Sequence, residues 1–395
     1  MQVRSTVGDY VIRVYESPDA WDPQRWDELL ERQAQPSPFM RSAYLRALHA
    51  SGSACAETGW QPFFLSLWQG DRMVAACALY QKHHSYGEYV FDWAWADAYR
   101  RNGLRYYPKL LSAVPFTPVP GARLLAQDEA ARSALAQALV QTAADRGLSS
   151  LHVLFVDEID AQALAQAGCM IRQGVQFHWS QLPEDPIEDF QDLLARLQRE
   201  KRKKIQQEQR RVRDAGVTFT VHQGTAIDEA LWTFFHACYT RTYLEHHSTP
   251  YLTRDFFARM ASDMSENWLM FVAHHEGQPI ACSLVALDPV RKHAYGRYWG
   301  ALRSLPCLHF DACYYQPLTW CLREGYTRFE GGAQGEHKMA RGLLPVTTRS
   351  AHWVADPRFA HAVDDFLQRE GAHVGAYLDE LREHNPFKGG VRAPA

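Results

Sequence analysis

The order of predicted elements is the feature that most limits the fold of this 395-residue chain. Two helices, a hairpin, a further strand, a helix and a strand follow one another, and this series occurs twice. The predicted helices of the two series span 23–34, 39–51, 128–146, 229–245, 253–264 and 311–324, and the hairpins read FFLSLWQGDRMVAACALYQK and WLMFVAHHEGQPIACSLVAL. The mixture predicts an α/β chain of the mixed α+β kind, and the repetition predicts two related domains.

A segment free of glycine and proline separates the two series. It spans residues 187–214 and reads IEDFQDLLARLQREKRKKIQQEQRRVRD. Its apolar residues at 190, 194, 197, 205 and 212 lie near one face of a helix that Gly216 ends, so a continuous connecting helix is predicted. The predicted organisation is an N-terminal domain (1–185), a basic connecting helix (186–216) and a C-terminal domain (217–395).

The connecting segment concentrates positive charge. Residues 199–213 contain eight Lys or Arg and two Glu, a local charge of +6, whereas the whole chain carries −3 and the rest of it therefore −9. One interpretation is that Lys201, Arg202, Lys203 and Lys204 contact phosphates or a tRNA backbone. The alternative is a solvated connecting helix, because runs of charge often do no more than face water.

The N-terminal segment and the cysteines bear on the compartment. The first 17 residues lack the basic and then apolar pattern of a signal peptide. The longest conspicuous apolar run, Met73–Tyr80, has eight residues, and a membrane span needs about 20. None of the eight cysteines forms a Cys-x-x-Cys pair, and no His-Glu-x-x-His occurs. We therefore expect free thiols, no membrane span, no metal site and a cytoplasmic protein.

The segment KHHSYGEYVFDWAWADAY (82–99) mixes carboxylates with aromatic residues. Glu88, Asp92 and Asp97 alternate with tryptophans and tyrosines, and YYPKLLSAVPFTPVPGARLL follows with four prolines that favour an extended course. Carboxylates among aromatic rings are typical of a groove that recognises an amine or a sugar. The alternative is aromatic core packing, which applies most readily to Trp93 and Trp95.

A glycine turn in FEGGAQGEHKMARG (329–342) is the sharpest local pattern. Its glycines follow a strand, so the backbone can approach a ligand closely or present N–H groups to an oxyanion. Glu336, His337 and Lys338 then place candidates for a base, an acid and a cation next to one another. The turn matches neither a Walker A loop nor Gly-x-Gly-x-x-Gly. The alternative is a tight turn carrying exposed charges.

The helix predicted at 311–324 begins in LHFDACYYQP. His309 and Cys313 stand four residues apart there, which allows a Cys nucleophile with a His base. A satisfied histidine beside a buried thiol is the alternative, and it is favoured because no third orienting group is evident. Asp311 and Gln316 are the polar groups expected to face a cleft.

Together these segments resemble the FemAB-like family, predicted N-acyltransferases grouped with peptidoglycan-bridge enzymes in the GNAT superfamily. The resemblance rests on segments in both halves: HSYGEYVFDWAWAD, YYPKLL, PFTPV, LHVLF, QFHW, KRKKIQQE, YGRYWG, LHFDACYYQ, FEGGAQGEHK and PFK. It implies two tandem GNAT-like acyltransferase domains with a basic helical segment near their junction. It also implies transfer of an acyl or aminoacyl group to an amine acceptor, such as a cell-wall precursor.

The resemblance further implies which molecules take part. Relatives of this kind use aminoacyl-tRNA as the donor, whereas the Gln/Arg-x-x-Gly-x-Gly/Ala loop that binds acetyl-CoA in simple GNAT enzymes is absent here. The donor, aminoacyl-tRNA or acyl-CoA, stays open, as does the oligomeric state, and no tightly bound cofactor is expected. A non-catalytic tRNA- or polyanion-binding protein and a tandem-GNAT scaffold are the alternative functions.

The chemistry of N-acyl transfer assigns roles to the candidate residues. A base must take the proton of the attacking ammonium, and fixed dipoles must stabilise the tetrahedral oxyanion. Glu336 or His337 is the predicted base, with Asp311 as a further catalytic candidate. The predicted substrate-binding residues are Glu88, Asp92, Trp93, Lys109, Arg297, Tyr298, Tyr314, Gln316, Glu330, Gly331, Gly332, Gln334, Gly335, Lys338 and Arg341.

Overall fold

A computed structural model describes residues 5–332 and 335–389 as two compact units. Unit 1 comprises residues 1–174 and 347–375, and unit 2 comprises 175–346 and 376–395. Three elements contain the boundaries between the units: strand β10 (Met170–Ser180), strand β16 (Leu344–Val354) and helix α12 (Pro357–Glu383). No helix within the described ranges is long and apolar enough to cross a membrane.

Unit 1 contains two sheets. Its other elements are β1 (Ser5–Val7), β2 (Tyr10–Tyr15), α1 (Pro23–Glu31), α2 (Ser42–Ala50), β3 (Trp60–Pro62), β4 (Phe64–Gln69), β5 (Arg72–Cys77), β6 (Tyr80–Lys82), α3 (Trp93–Arg101), β7 (Lys109–Ser112), β8 (Leu125–Ala126), α4 (Glu129–Asp145), β9 (Ser150–Val156) and α5 (Glu158–Gln166). One sheet has the order β1-β2-β4-β5-β8, and a second runs β3-β6-β7-β9-β16. Strands β7 and β9 are parallel, with Leu111 opposite His152.

Unit 2 is built around a mixed sheet with the order β11-β12-β13-β14-β15-β10. Its elements are α6 (Phe190–Arg196), α7 (Arg199–Asp214), β11 (Val217–Gln223), α8 (Glu229–Glu245), α9 (Arg254–Asp263), β12 (Trp268–His275), β13 (Gln278–Asp288), β14 (His293–Ala301), α10 (Leu308–Phe310), α11 (Gln316–Arg323) and β15 (Arg328–Glu330). A π turn (Asp311–Tyr315) joins α10 to α11, and a 3₁₀ helix (Glu336–Arg341) precedes β16.

Both predicted hairpins are confirmed. Strands β4 and β5 pair antiparallel around Gly70, and β12 and β13 pair antiparallel around Gly277. Each of these glycines has a positive φ, +59° and +76°, which glycine adopts without the strain that a side chain causes. The turn chemistry in the sequence was therefore a sound guide to these pairs.

The prediction of a continuous connecting helix was wrong. Helix α6 ends at Arg196, Leu197 is extended (φ −72°, ψ 151°), and α7 begins at Arg199. The break lets Leu197 enter the apolar core of unit 2 and form a bridge with Phe387, while the N–H of Gln198 donates to the carbonyl of Pro386. The apolar spacing alone did not reveal this pairing, because the partner lies near the other end of the chain.

The compact units also differ from the predicted domains. Residues 186–216 belong to unit 2, because Phe190, Leu193 and Ile205 lie in the apolar core of that unit. Residues 347–375 belong to unit 1, where Val354 and Val363 pack in one cluster with Trp95. A segment that is remote in sequence thus completes each unit.

Candidate functional site

The strands β14 and β15 of unit 2 are parallel only over three residue pairs, which end at Tyr295 opposite Glu330. Gly296 follows, and a Cβ there would lie 3.3 Å from the carbonyl oxygen of Glu330. Between Gly296 and Tyr298 the register of β14 against β13 shifts by one residue. This shift is a β-bulge at Arg297. The parallel pairing therefore stops at the carboxyl end of β15. Ligands commonly bind at the carboxyl ends of parallel strands.

The glycine turn follows β15 directly. A Cβ on Gly331 would lie 2.5 Å from a methyl carbon of Leu343 and 3.2 Å from the carbonyl oxygen of Phe177, so a side chain at this position would force Leu343 to shift. The N–H of Gly331 donates to the carbonyl of Phe177 (3.2 Å), so it is not available to an oxyanion. Gly332 (φ +83°) and Gly335 (φ +117°) are left-handed, and Gln334 lies outside the described residues. The glycines predicted a backbone that approaches a ligand or offers N–H groups to an oxyanion, whereas at Gly331 the backbone packs against the protein itself.

The two predicted bases, Glu336 and His337, lie on the 3₁₀ helix after the turn and contact different partners. Glu336 is exposed and accepts a hydrogen bond from the Tyr377 hydroxyl (2.6 Å). The Nε2 of His337 lies 3.2 Å from the Tyr314 hydroxyl. Partial burial, together with Arg341 and Lys338, lowers the pKa of His337, so this imidazole is neutral near pH 7. His337 is therefore the better placed of the two to accept a proton.

Lys338 is a buried cation beside the turn. Its Nζ donates to the carbonyl of Gly332 (3.0 Å), and no carboxylate forms an ion pair with it among the residues that the structure describes. Burial lowers the pKa of Lys338 to about 8, although the Cys313 thiol opposes this shift. An ammonium held without a counterion is suited to stabilise negative charge that develops nearby.

The π turn contains a second titratable carboxyl. Asp311 is buried and accepts one hydrogen bond from Gln316 Nε2 (3.0 Å), and burial raises the pKa of Asp311 to about 6. π turns inside α-helices are frequent at functional sites. Burial raises the pKa of the Cys313 thiol and lowers the pKa of His309 to about 4, which supports the interpretation of a buried thiol beside a neutral histidine.

Arg341 connects the 3₁₀ helix to the basic helix α7. Its Nη2 contacts both carboxylate oxygens of Glu208 (3.1 and 3.0 Å), and its Nη1 donates to the carbonyl of His337 (2.6 Å). The Tyr315 hydroxyl also donates to Glu208, and the guanidinium lies 3.7 Å from the Phe310 ring centroid. Arg341 is thus engaged inside the protein, whereas the sequence suggested an anion contact.

Glu208 is a residue that the sequence interpretation missed. It lies in a run of charges, but it is buried on the same face of α7 as Ile205 and Val212, three and four residues away. Its spacing from these apolar positions was the available signal. Of the four predicted polyanion contacts, Lys203 and Lys204 are exposed and Lys201 and Arg202 are half-buried, and among the described residues no carboxylate pairs with any side chain from Lys201 to Lys204.

The remaining unit 2 candidates also contact protein groups. The ring of Tyr298 lies 5.3 Å from that of Tyr239, and the guanidinium of Arg297 lies 5.1 Å from the Tyr298 ring centroid. Glu330 is buried and forms an ion pair with Arg328 (3.0 Å). These side chains lie on β14 and β15, next to the point where the parallel pairing ends.

Unit 1 brings three predicted residues into one buried cluster. The Nζ of Lys109 donates to Glu88 (2.8 Å), to Asp92 (2.5 Å) and to the Ser85 hydroxyl (2.8 Å). All three charged side chains are almost fully buried. Burial raises the pKa of Glu88 to about 7, whereas for Asp92 the attraction of Lys109 and His152 outweighs burial and holds the pKa below its usual value. The structure thus brings together three residues that were predicted to bind substrate, but their charged groups bind one another inside the protein.

Further polar residues extend this cluster, and the sequence interpretation missed them. The Tyr106 hydroxyl donates to Asp92 (2.6 Å) and lies 3.1 Å from His152 Nε2. His152 and His352 approach through their Nδ1 atoms (2.7 Å). Lys82 lies 3.7 Å from the Trp60 ring centroid, and burial lowers its pKa to about 7. The available signal was a polar residue inside an apolar strand, as in LHVLF.

Trp93 was assigned to the same site, but its ring is exposed and contacts Tyr86 (5.1 Å between centroids). Trp95 is buried against His352, as core packing predicts. Within the described ranges, no group of three or more His, Cys, Asp or Glu is arranged to hold a metal ion. None of the eight cysteines forms a disulfide.

One comparison with known proteins shows the family, and another shows the fold. The FemAB-like family model, described as peptidoglycan biosynthesis/recognition, matches residues 18–389. Among solved structures, a DUF2156 domain from Agrobacterium fabrum is 13% identical (TM-score 0.53, 94% of this chain and 99% of that one). L-PGS from Bacillus licheniformis is 13% identical (0.53, 86% and 93%), and FemX is 10% identical (0.52, 87% and 98%).

Likeness at such low identity shows a shared fold, and it confirms the mixed α+β fold class predicted from the sequence. No curated protein matches the chain.

Proposed function

The chain belongs to the FemAB-like family, and from this premise we propose that it is an acyltransferase that joins an activated acyl or aminoacyl group to an amine. The family description supports a cell-wall precursor as the amine acceptor. The resemblance to peptidoglycan-bridge enzymes supports an aminoacyl group on tRNA as the donor. In this reaction the amine nitrogen bonds to the carbonyl carbon, the bond from that carbon to the leaving oxygen breaks, and the ammonium proton passes to a base.

One observation carries the proposal. A glycine turn that ends a parallel strand is followed by His337 and Lys338: burial lowers the pKa of Lys338 to about 8, and the lowered pKa of His337 keeps its imidazole neutral near pH 7. A neutral imidazole can take the proton of the attacking ammonium, and the buried ammonium of Lys338 can stabilise the oxyanion. The role proposed for Lys338 replaces that of the Gly331 N–H, which Phe177 already occupies.

Asp311 is the second candidate base. A carboxyl with a pKa of about 6 is ionised in a large fraction near pH 7 and still binds a proton well enough to act as a base. A transfer rate that depends on Asp311 should rise as the pH passes through about 6. A rate that depends on His337 rises with pH on the same side of neutrality, so separate substitutions, and not the shape of the pH profile, distinguish the two candidates.

The test is a transfer assay on the full chain. Aminoacyl-tRNA and acyl-CoA are each offered as donors with peptidoglycan-precursor amines, and products are identified by mass spectrometry. His337→Ala or Asp311→Asn should lower kcat about 10²-fold or more if the residue is the base. His361→Ala and Asp379→Asn, which change exposed residues of the same types, serve as matched controls. Full activity in both site variants would contradict the assignment.

A second candidate function, binding of tRNA or another polyanion without catalysis, is favoured by the exposed cations of α7. Lys203 and Lys204 are exposed and have no carboxylate partner among the described residues. Binding should weaken with salt and with Lys203→Glu/Lys204→Glu, since each phosphate contact releases counterions. A gel-shift titration measures both effects. Binding that is weakened neither by salt nor by charge reversal would contradict this function, and it would also contradict tRNA as the donor.

A further inference from the structure

Exposed aromatic rings of the protein concentrate in one region of unit 1. Tyr86, Phe91 and Trp93 are 58%, 55% and 41% exposed, and Tyr89 and Phe366 are exposed as well. No other phenylalanine, tyrosine or tryptophan within residues 5–332 and 335–389 is exposed. A cluster of exposed apolar residues marks an interaction site, whereas single exposed apolar residues are common on any protein surface. These five residues are called the aromatic patch below.

Contacts link the members of the aromatic patch. The rings of Tyr86 and Trp93 are 5.1 Å apart. The Nη1 of Arg172 donates to the carbonyl of Phe91 (2.8 Å), and the Arg172 guanidinium lies 5.9 Å from the Phe366 ring centroid. Arg172 therefore contacts both the loop before α3 and helix α12, which carry the exposed rings.

The loop that carries the patch is held in place from beneath. Within residues 85–95, the side chains of Glu88, Asp92 and Trp95 are buried. The aromatic residues between them, Tyr89, Phe91 and Trp93, expose their rings. Glu88 and Asp92 are fixed by the buried ammonium of Lys109. An anchored loop presents its outward rings without ordering them at the moment of binding, which lowers the entropic cost of docking.

Cations lie at the far end of the helix that Trp93 begins. Trp93 begins helix α3, which ends with Arg100 and Arg101, whose side chains are 81% and 76% exposed. Both contact Asp97, and Arg105 is exposed just beyond the helix. Residues 97–105 thus carry one acidic and three basic side chains, a charge of +2. This surface is complementary to a negatively charged partner.

We propose that the aromatic patch docks this protein on a membrane surface that contains anionic lipid. Tryptophan and tyrosine rings prefer the interface between lipid and water, and phenylalanine enters the acyl boundary. Arginines beside them bind the headgroup charge of anionic lipids. Apolar rings flanked by cations are the combination that such an interface recognises, and docking of this kind needs no membrane-spanning helix.

The test is co-sedimentation of the full chain with vesicles. Vesicles of phosphatidylcholine with about 30% phosphatidylglycerol should bind the protein, and pure phosphatidylcholine should bind it at least about tenfold less. Phe91→Ser/Trp93→Ser should lower the partition coefficient about tenfold or more. The matched control Leu244→Ser/Val290→Ser, which changes exposed apolar residues of unit 2, should leave it unchanged. Near-ultraviolet circular dichroism verifies that each variant is folded.

Three results would overturn the proposal. They are absence of sedimentation at low salt, equal binding by the Phe91→Ser/Trp93→Ser variant, and equal loss of binding in the control. The patch would instead join two copies of the chain if light scattering showed a dimer that the Phe91→Ser/Trp93→Ser change dissociates. The outcome is independent of the transfer assay, since vesicle binding requires neither donor nor acceptor.

Discussion

Replacing Lys109 by methionine should destabilise unit 1 strongly, because two buried carboxylates then lose their counterion. The Lys109 ammonium makes three hydrogen bonds, to Glu88, Asp92 and Ser85, and its side chain is fully buried. Methionine keeps most of the apolar stem and removes the charge. Removal of one partner of a buried ion pair costs about 3–5 kcal/mol, since the remaining charge stays out of water.

The pH dependence of this cost has a definite sign. In the wild type, the lowered pKa of Asp92 contributes stability that is present above the unfolded value of 3.8, whereas the raised pKa of Glu88 removes stability as the pH rises from 4.5 to about 7. Without Lys109, burial and mutual repulsion raise the pKa of both Glu88 and Asp92 in the folded state. Folding then takes up protons, so the stability of the variant falls as the pH rises above about 5. We expect the cost to be about 2 kcal/mol larger at pH 8 than at pH 5.

The two units can unfold separately, so the assay must report on unit 1 alone. Hydrogen exchange in increasing urea, read by mass spectrometry on peptides within residues 75–112, gives the local free energy of unfolding. Lys203→Met, an exposed site in unit 2, should change it by less than about 0.5 kcal/mol. The variant that also carries Glu88→Gln and Asp92→Asn should recover stability. A cost below about 1 kcal/mol at pH 8, or one that does not shrink at pH 5, would refute the reasoning.

Three further perturbations test other parts of the structure. Glu208→Gln should cost about 3 kcal/mol in urea unfolding, because the buried Arg341 loses its anion, and an unchanged midpoint would show that this pair contributes nothing. Gly331→Ala should cost about 1–3 kcal/mol, whereas Gly375→Ala in helix α12 has open space and should raise stability by at most about 1 kcal/mol. Lys82→Met should raise the melting temperature more at about pH 6 than at about pH 10, because a pKa lowered from 10.5 to about 7 penalises the ammonium most below pH 7. Equal gains at both pH values would contradict that pKa.

Several parts of the candidate site could be predicted from local sequence. The glycines of FEGGAQGEHK predicted a turn, and a Cβ at Gly331 or Gly335 would indeed overlap neighbouring side chains. The alternation of carboxylates with aromatics in 84–97 predicted a groove for an amine or a sugar, and the amine that Glu88 and Asp92 bind in the structure is the protein's own Lys109. These results depend on chemistry encoded within a few residues, or on residues whose charge demands a partner when buried.

Other residues could not be assigned without the fold. Arg341 and Glu208 are 133 positions apart, and only packing of α7 against the 3₁₀ helix turns an apparent anion contact into an internal ion pair. His152 and His352 meet across 200 positions. Sequence spacing carries no information on such pairs, because each residue alone is equally compatible with a solvated surface.

The sequence by itself determined the two series of elements, the hairpins, the concentration of charge in α7 and the family. These follow from local periodicity, turn chemistry and composition, which act over short stretches of chain. The tertiary structure decided which way each polar side chain points: Glu208 is buried on a helix whose Lys203 and Lys204 are exposed, and Glu88 is buried whereas Tyr86 is exposed two residues earlier. It also decided that residues 347–375 complete unit 1. Burial is a property of the assembled core, so only the folded chain fixes which charges must pair and which remain free for a partner.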